Sequence, residues 1–139
     1  MNVIVYTSVW SLALRRRRPA MSPIVLELAE LVREGRAAMM GAVRQEILSG
    51  VQREEQYETL REYLRAFPDI ALEVEDHEEA ASFFNRCRAK GVQGSNTDFL
   101  MCAAAVRRRF AILTTDADFL HFAKVVPIDL HSPRAQRSG

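Results

Sequence analysis

Three acidic residues have the chemistry of a divalent metal site. Glu46, Asp98 and Asp116 carry carboxylates, and carboxylate oxygens suit Mg²⁺ and Mn²⁺. Taken singly, each has a better structural explanation. Glu46 is typical of a solvated helix face, Asp98 closes a Ser-x-x-Asp capping box that starts at Ser95, and Asp116 follows a strand as a helix N-cap does. Metal chemistry is therefore indicated only if the three residues are considered together.

The residue after the first apolar segment does not match this chemistry. Residues 1–10 read MNVIVYTSVW, a short β-branched strand followed by a polar corner. A carboxylate at the end of that strand would complete an acidic cluster, but the residue there is Tyr6. A phenol has a pKa of about 10, so it is neutral at pH 7 and a poor ligand for Mg²⁺. Tyr6 is also larger than Asp and would fill or cover a cation pocket.

Alternating short strands and longer helices must position these residues. Strands are predicted at 3–5, 37–40, 111–114 and 125–128, whereas 70–74 stays open between strand and loop. Helices are predicted from Ser22-Pro23 to Gly35, around Glu46, over 52–66, from an Asp76 cap to about Lys90, over 99–108 after a Ser95 cap, and over 116–123. This order predicts an α/β fold with a mostly parallel sheet and helices on both faces. Ligands of such sheets bind beyond the carboxyl ends of the strands, where Tyr6 and Asp116 fall.

Composition bounds the class of protein. The 139 residues predict one domain, and 19 basic against 18 acidic residues leave a net charge of +1. Any polyanion site must therefore be local, because no overall field attracts nucleic acid. Cys87 and Cys102 lack metal or redox spacing, which favours buried reduced thiols. The absence of a long apolar run and of a signal-peptide pattern predicts a soluble, cytoplasmic protein without a membrane segment.

Two further segments connect the acidic residues into a recognisable layout. Residues 95–105, SNTDFLMCAAA, place Asp98 at the start of a helix of small residues, and residues 113–119, LTTDADF, place Asp116 at a strand end. With the VIVYTSVW start and Glu46, this layout resembles the PIN-domain nucleases. It is most similar to the VapC toxins of bacterial toxin–antitoxin pairs. The similarity runs from residue 1 to about 130, and the start and the TTDADF stretch are its most specific parts.

The resemblance implies a three-layer α/β/α fold with a mostly parallel sheet of four or five strands. It implies a PIN-like domain over 1–131, and the polar residues 132–139 that follow are expected to form a frayed tail. It also implies a metal-dependent endoribonuclease that hydrolyses RNA phosphodiester bonds with Mg²⁺ or Mn²⁺ held by four carboxylates.

The resemblance assigns catalytic and metal-binding roles to Glu46, Asp98 and Asp116. Asp118 could share or take the role of Asp116, and Tyr6 stands where the family has its first Asp. The chain is therefore expected to be a weakened or inactive nuclease. Tyr6 could be natural or an inactivating change, and the alternative function is a non-catalytic PIN-like module that binds RNA or an antitoxin. The hydroxyls of three further residues, Thr7, Ser8 and Thr115, are expected to orient ligands or water.

The resemblance also implies partners. VapC toxins usually form homodimers and are blocked by an antitoxin, whose C-terminal segment covers the metal site. The helical pair at 42–66 matches the region that clamps the antitoxin; its candidate contacts, for which core packing is the alternative, are Leu48, Val51, Tyr57 and Leu60. The basic run Arg15, Arg16, Arg17 and Arg18 could guide an RNA backbone, meet an acidic stretch of the antitoxin, or be a solvated loop.

Overall fold

The computed structural model describes residues 1–15 and 22–134. Within these ranges the strands are β1 (Val3–Val5), β2 (Ala37–Ala38) and β3 (Ala111–Leu113). The helices are α1 (Thr7–Leu14), α2 (Pro23–Arg33), α3 (Gly41–Leu48), α4 (Glu54–Leu64), α5 (Val74–Ala89), α6 (Asn96–Arg108) and α7 (Asp118–Phe122). None of the helices in these ranges is long and apolar enough to cross a membrane.

A parallel sheet of order β2-β1-β3 forms the centre of the fold. Val3 pairs with Ala37 on one side and with Ala111 on the other. All three residues of β1 have no exposed surface. Because successive residues of a strand point to opposite faces, β1 must be covered on both faces of the sheet. The predicted α/β class with a mostly parallel sheet is confirmed.

The sheet has fewer regular strands than the four or five that were predicted. Isolated parallel bridges join Met39 to Asp69 and Ile112 to Leu130. Each bridge adds one residue pair at an outer side of the sheet, the first beside β2 and the second beside β3. The segment 70–74 forms no strand, and Ile70 only donates its N–H to the Met39 carbonyl.

The strand predicted at 125–128 is wrong for a local reason. The N–H groups of Val125 and Val126 both donate to the Phe122 carbonyl at the end of α7. Pro127 has no N–H to donate to a strand ladder. Pairing with β3 is therefore delayed until residues 129–131.

The polar corner predicted after β1 is the helix α1. Its Trp10 is fully buried, and the indole Nε1–H donates to the Val5 carbonyl over 3.1 Å. This ring is therefore part of the core. The missed helix begins directly after Tyr6, which is its N-cap residue.

Helix starts at serine were predicted correctly, whereas the start at Asp76 was not. Ser22 caps α2 and Ser95 caps α6, each through its side-chain oxygen. Helix α5 begins earlier, with Glu73 as the N-cap and Asp76 at its third position. The Asp76 carboxylate reaches back to the Glu73 N–H over 2.7 Å, so it caps the helix from inside.

Candidate active site

Tyr6 contacts one of the three predicted acidic residues, Asp98, through its hydroxyl. It directly follows β1, and its hydroxyl donates to Asp98 Oδ1 over 2.5 Å. Burial, this hydrogen bond and the negative charge of Asp98 raise the pKa of the phenol far above its ordinary value. The charges of Glu46 and Asp116 raise the same pKa further. The fold therefore brings all three predicted carboxylates near enough to one phenol for their charges to act on it.

Asp98 has a structural role in addition to its contact with Tyr6. Its backbone N–H donates to Ser95 Oγ over 3.0 Å, and its Oδ2 accepts from the Ser95 N–H over 3.0 Å. This reciprocal capping box confirms the capping role predicted for both residues. Asp98 is only 7% exposed, so each of its oxygens already has a protein donor in a largely buried position.

Glu46 approaches the cluster from α3. Thr7, the first residue of α1, donates its hydroxyl to Glu46 Oε2 over 3.2 Å. Burial and the charge of Asp98 raise the pKa of Glu46, and they outweigh the opposing effect of the Thr7 hydrogen bond. The carboxyl of Glu46 thus gains a proton more readily than an exposed glutamate would.

Asp116 lies in the connection between β3 and α7. Its N–H donates to Thr114 Oγ1 over 3.0 Å, and its Oδ1 accepts from the Asp118 N–H over 2.9 Å. The helix predicted to begin at Asp116 begins at Asp118 instead, with Ala117 as the N-cap. Asp118 itself is exposed.

The other predicted polar residues are divided between the site and its surroundings. Thr7 contacts a carboxylate, whereas Ser8 accepts from the backbone N–H of Thr115 over 3.3 Å and so ties α1 to the end of β3. Thr115 is exposed. The Tyr6 ring also lies 5.1 Å from the fully buried ring of Phe119, a contact that the sequence did not predict.

Comparison with known proteins decides the family. Residues 3–125 match the PIN domain. The chain belongs to the PIN domain family. No curated protein matches this PIN domain.

Three solved structures share the PIN fold of this chain. FitAcB from Neisseria gonorrhoeae has a TM-score of 0.75 at 16% identity, over 94% of this chain and 97% of its own. VapBC-1 from nontypeable Haemophilus influenzae has a TM-score of 0.72 at 13% identity, over 95% and 98%. A toxin–antitoxin complex from Klebsiella pneumoniae has a TM-score of 0.57 at 17% identity, over 93% and 100%.

The donor set of this PIN domain does not fit a divalent cation as it stands. Asp98 already accepts hydrogen bonds at both oxygens, one of them from the Tyr6 hydroxyl. Across residues 1–15 and 22–134, no three acidic, His or Cys side chains form a group that could hold a metal ion. These two hydrogen bonds would compete with a cation for the oxygens of Asp98.

The predicted partner-binding residues differ in how far the structure describes them. Arg15 is the C-cap of α1, and its carbonyl accepts from Gln56 Nε2 over 3.3 Å. The rest of the basic run, residues 16–18, lies outside the described residues. In the helical pair at 42–66, Leu60 is buried, whereas Leu48, Val51 and Tyr57 are half-buried.

Proposed function

We propose that this PIN domain is the toxin of a toxin–antitoxin pair, built as an RNA endonuclease and silenced at Tyr6. One observation carries the proposal: the Tyr6 hydroxyl bonds Asp98, one of the three carboxylates that the family resemblance assigns to catalysis. The fold likeness to a toxin–antitoxin complex supports the same class. The proposed place of action is the cytoplasm, where its RNA would be.

Tyr6 would silence the site in two ways. It removes one negative charge and one oxygen ligand from the position where the resemblance calls for a carboxylate. It also donates a hydrogen bond to Asp98 Oδ1, so that this oxygen already has a partner. Nucleases of the PIN family generally use divalent ions, and the expected ions are Mg²⁺ or Mn²⁺, which oxygen ligands suit.

The ligand assignment is part of the proposal. In a Tyr6→Asp variant, the new carboxylate would join Glu46, Asp98 and Asp116. Asp116 is preferred to Asp118, because its charge acts on Tyr6 while Asp118 is exposed on α7.

The deciding experiment compares cleavage of total RNA by the chain with Tyr6 and by Tyr6→Asp, each with Mg²⁺, with Mn²⁺ and with EDTA. The expected result is cleavage by Tyr6→Asp alone, abolished by EDTA. Tyr6→Phe is the matched control: it removes the hydroxyl without adding a carboxylate, and it should stay silent. Cleavage by the Tyr6 chain would show that three carboxylates suffice, and this would contradict the silencing role of Tyr6.

A non-catalytic function is the second candidate, because the Tyr6–Asp98 hydrogen bond closes the site without a cation. In that case the chain would bind RNA or an antitoxin and cut nothing. Silence of Tyr6→Asp on total RNA, together with retained RNA binding by the unmodified chain, would favour this module.

The proposed partners follow from the same family assignment. A cognate antitoxin would bind across the helical pair α3 and α4, and a second copy of the chain would complete a homodimer. Pull-down of the chain with the product of a neighbouring gene tests the antitoxin. The mass of the chain in solution, compared with the 15.8 kDa of one copy, tests the homodimer.

A further inference from the structure

A cleft of about 460 Å³ lies beyond the carboxyl end of β3. We name it the β3 cleft. Its walls come from the start of α2, the end of β3, the start of α7 and the C-terminal segment, which we define as residues 129–134. The lining side chains used below are Ile24, Thr114, Thr115, Asp116, Leu120 and Ser132.

The β3 cleft shares Asp116 with the candidate active site. Asp116 lines the cleft, and its charge also raises the pKa of Tyr6, so one residue borders both places. The cleft opens at the sheet edge where ligands of parallel α/β folds bind. If the phosphate of an RNA strand lay at the carboxylates, the group next to that phosphate would therefore lie at the mouth of the cleft.

Buried charge fixes one wall of the cleft. The C-terminal segment pairs with β3, where His131 N–H donates to the Ile112 carbonyl over 2.7 Å. Glu27 of α2 is 3% exposed. It accepts from the Arg134 backbone N–H over 3.0 Å and lies 2.8 Å from His131 Nε2. Arg134 also binds Glu34 through two hydrogen bonds of 2.8 and 2.9 Å.

The contacts of Glu27 with His131 and Arg134, here called the Glu27 network, require the burial of a charged carboxylate. Burying a carboxylate carries a desolvation penalty, and the attraction of its partners often does no more than offset it. Such networks therefore add little net stability. They do hold groups in one arrangement. Here that arrangement sets His131, Ser132 and the residues beside them as the outer wall of the cleft.

The chemistry of the lining favours an uncharged, flat, polar-edged ligand. Ile24 and the 59% exposed Leu120 offer apolar surface. The hydroxyls of Thr114, Thr115 and Ser132 can each donate and accept hydrogen bonds. Among the described lining residues none is Lys or Arg, so the cleft offers a phosphate no cationic partner. Its volume suits a small group.

We propose that the β3 cleft binds one unpaired base of the RNA strand whose phosphate lies at the carboxylates. The inference rests on the proposed function and deepens it by assigning a specificity subsite. Single-stranded RNA offers splayed bases that proteins hold by packing against their faces and by hydrogen bonds to their edges. The apolar side chains of the cleft would contact the faces, and the three hydroxyls would contact the edges.

The first test uses the unmodified chain, labelled with ¹⁵N and titrated with each of the four nucleoside 5′-monophosphates. At least one nucleotide should shift the amide signals of Thr114, Thr115, Leu120 and Ser132 in a saturable manner. Shifts with none of the four, or shifts confined to other parts of the chain such as α1 and α4, would overturn the inference.

A variant pair sharpens this test. Leu120→Ala removes exposed apolar surface from the cleft, and it should weaken the bound nucleotide about tenfold, as the loss of a few buried carbons implies. Val74→Ala is the matched control, since Val74 is 68% exposed at the start of α5 and does not line the cleft. An unchanged dissociation constant in Leu120→Ala would contradict the subsite.

Cut-site mapping separates failure of the subsite from failure of the nuclease. In the Tyr6→Asp background, Leu120→Ala should relax the base preference at one position beside the cut and leave the other positions unchanged. Cleavage by Tyr6→Asp without nucleotide binding in the cleft would reject the subsite and keep the nuclease. Nucleotide binding in the cleft without cleavage would reject the nuclease and keep a base-binding module.

Discussion

At the residue scale, Tyr6 gives the acidic residues a hydrogen-bond donor, as a bound cation would give them a positive charge. Three carboxylates in a partly buried place repel one another, and each gains from any donor that reaches it. The Tyr6 hydroxyl supplies such a donor to Asp98, as Thr7 does to Glu46. The cluster is therefore compatible with a folded chain that holds no metal, and this has a measurable consequence.

Mn²⁺ should stabilise the Tyr6→Asp variant and leave the Tyr6 chain unchanged. The variant places a fourth carboxylate beside Glu46, Asp98 and Asp116, so it should unfold at a lower temperature without a cation. An ion at about 100 times its dissociation constant adds about 2.7 kcal/mol, which raises Tm by on the order of 5 °C or more. Thermal unfolding followed by circular dichroism, with Mn²⁺ or EDTA, measures both chains.

Tyr6→Phe is the control for that experiment. It keeps the ring contact with Phe119 but removes the donor to Asp98. Loss of a hydrogen bond to a charged, mostly buried group costs about 1.5–3 kcal/mol, and Mn²⁺ should recover little of it, since no carboxylate is added. An equal Mn²⁺ shift in all three chains would show that the ion binds elsewhere.

At the element scale, the packing of α5 on α6 depends on a buried ion pair. Asp76 has no exposed surface. Its Oδ1 accepts from Arg107 over 2.6 Å and from Arg108 over 2.7 Å. The Arg108 hydrogen bond, with further help from Arg107, lowers the pKa of Asp76 well below its usual range. The capping carboxylate of α5 is thus also the link to the end of α6.

Asp76→Asn should cost about 3–5 kcal/mol, because it leaves two arginines around a neutral group. The pH dependence has a definite sign. Since the folded pKa of Asp76 lies below its unfolded value of 3.8, its contribution is complete above about pH 5 and is lost as the pH falls through 4 and below. Urea unfolding should show that the free energy of unfolding falls less between pH 7 and pH 3 in Asp76→Asn than in the unmodified chain. An equal loss in both chains would place the acid sensitivity elsewhere.

The elements show which features the sequence could predict. Ser22 with Pro23, and Ser95 with Asp98, carry local capping signals that act within four residues, so both helix starts were predictable. Helix α1 was missed because only Tyr6 separates it from β1, and no Gly or Pro marks the change. The bond between Tyr6 and Asp98 joins residues 92 positions apart. Residue types and a family resemblance could suggest that cluster, but no local pattern could give its hydrogen bonds.

At the scale of the whole molecule, long-range charged contacts close the chain on itself. The C-terminal segment was expected to fray after His131, but Arg134 binds Glu27 and Glu34, the former 107 positions away. Residues 135–139 lie outside the described part, so the boundary of the tail stays a prediction. The net charge of +1 gives the chain little general attraction for polyanions. Recognition of RNA would therefore depend on local features such as the β3 cleft.

Glu27→Gln tests whether this closure fixes the C-terminal segment. The buried carboxylate is lost while its shape is kept, so Arg134 and His131 lose a charged acceptor and stability should fall by about 3 kcal/mol. Glu30→Gln is the matched control on the same helix. Its exposed pair with Arg33 should contribute little to stability, because solvent screens it.

Urea unfolding gives the two stabilities, and amide hydrogen exchange at residues 130–134 reports the segment itself. Because the segment forms one wall of the β3 cleft, faster exchange there in Glu27→Gln should accompany weaker nucleotide binding, while Glu30→Gln changes neither. Unchanged exchange in Glu27→Gln would mean that pairing with β3 alone holds the wall. The buried charge would then contribute to stability without positioning the cleft.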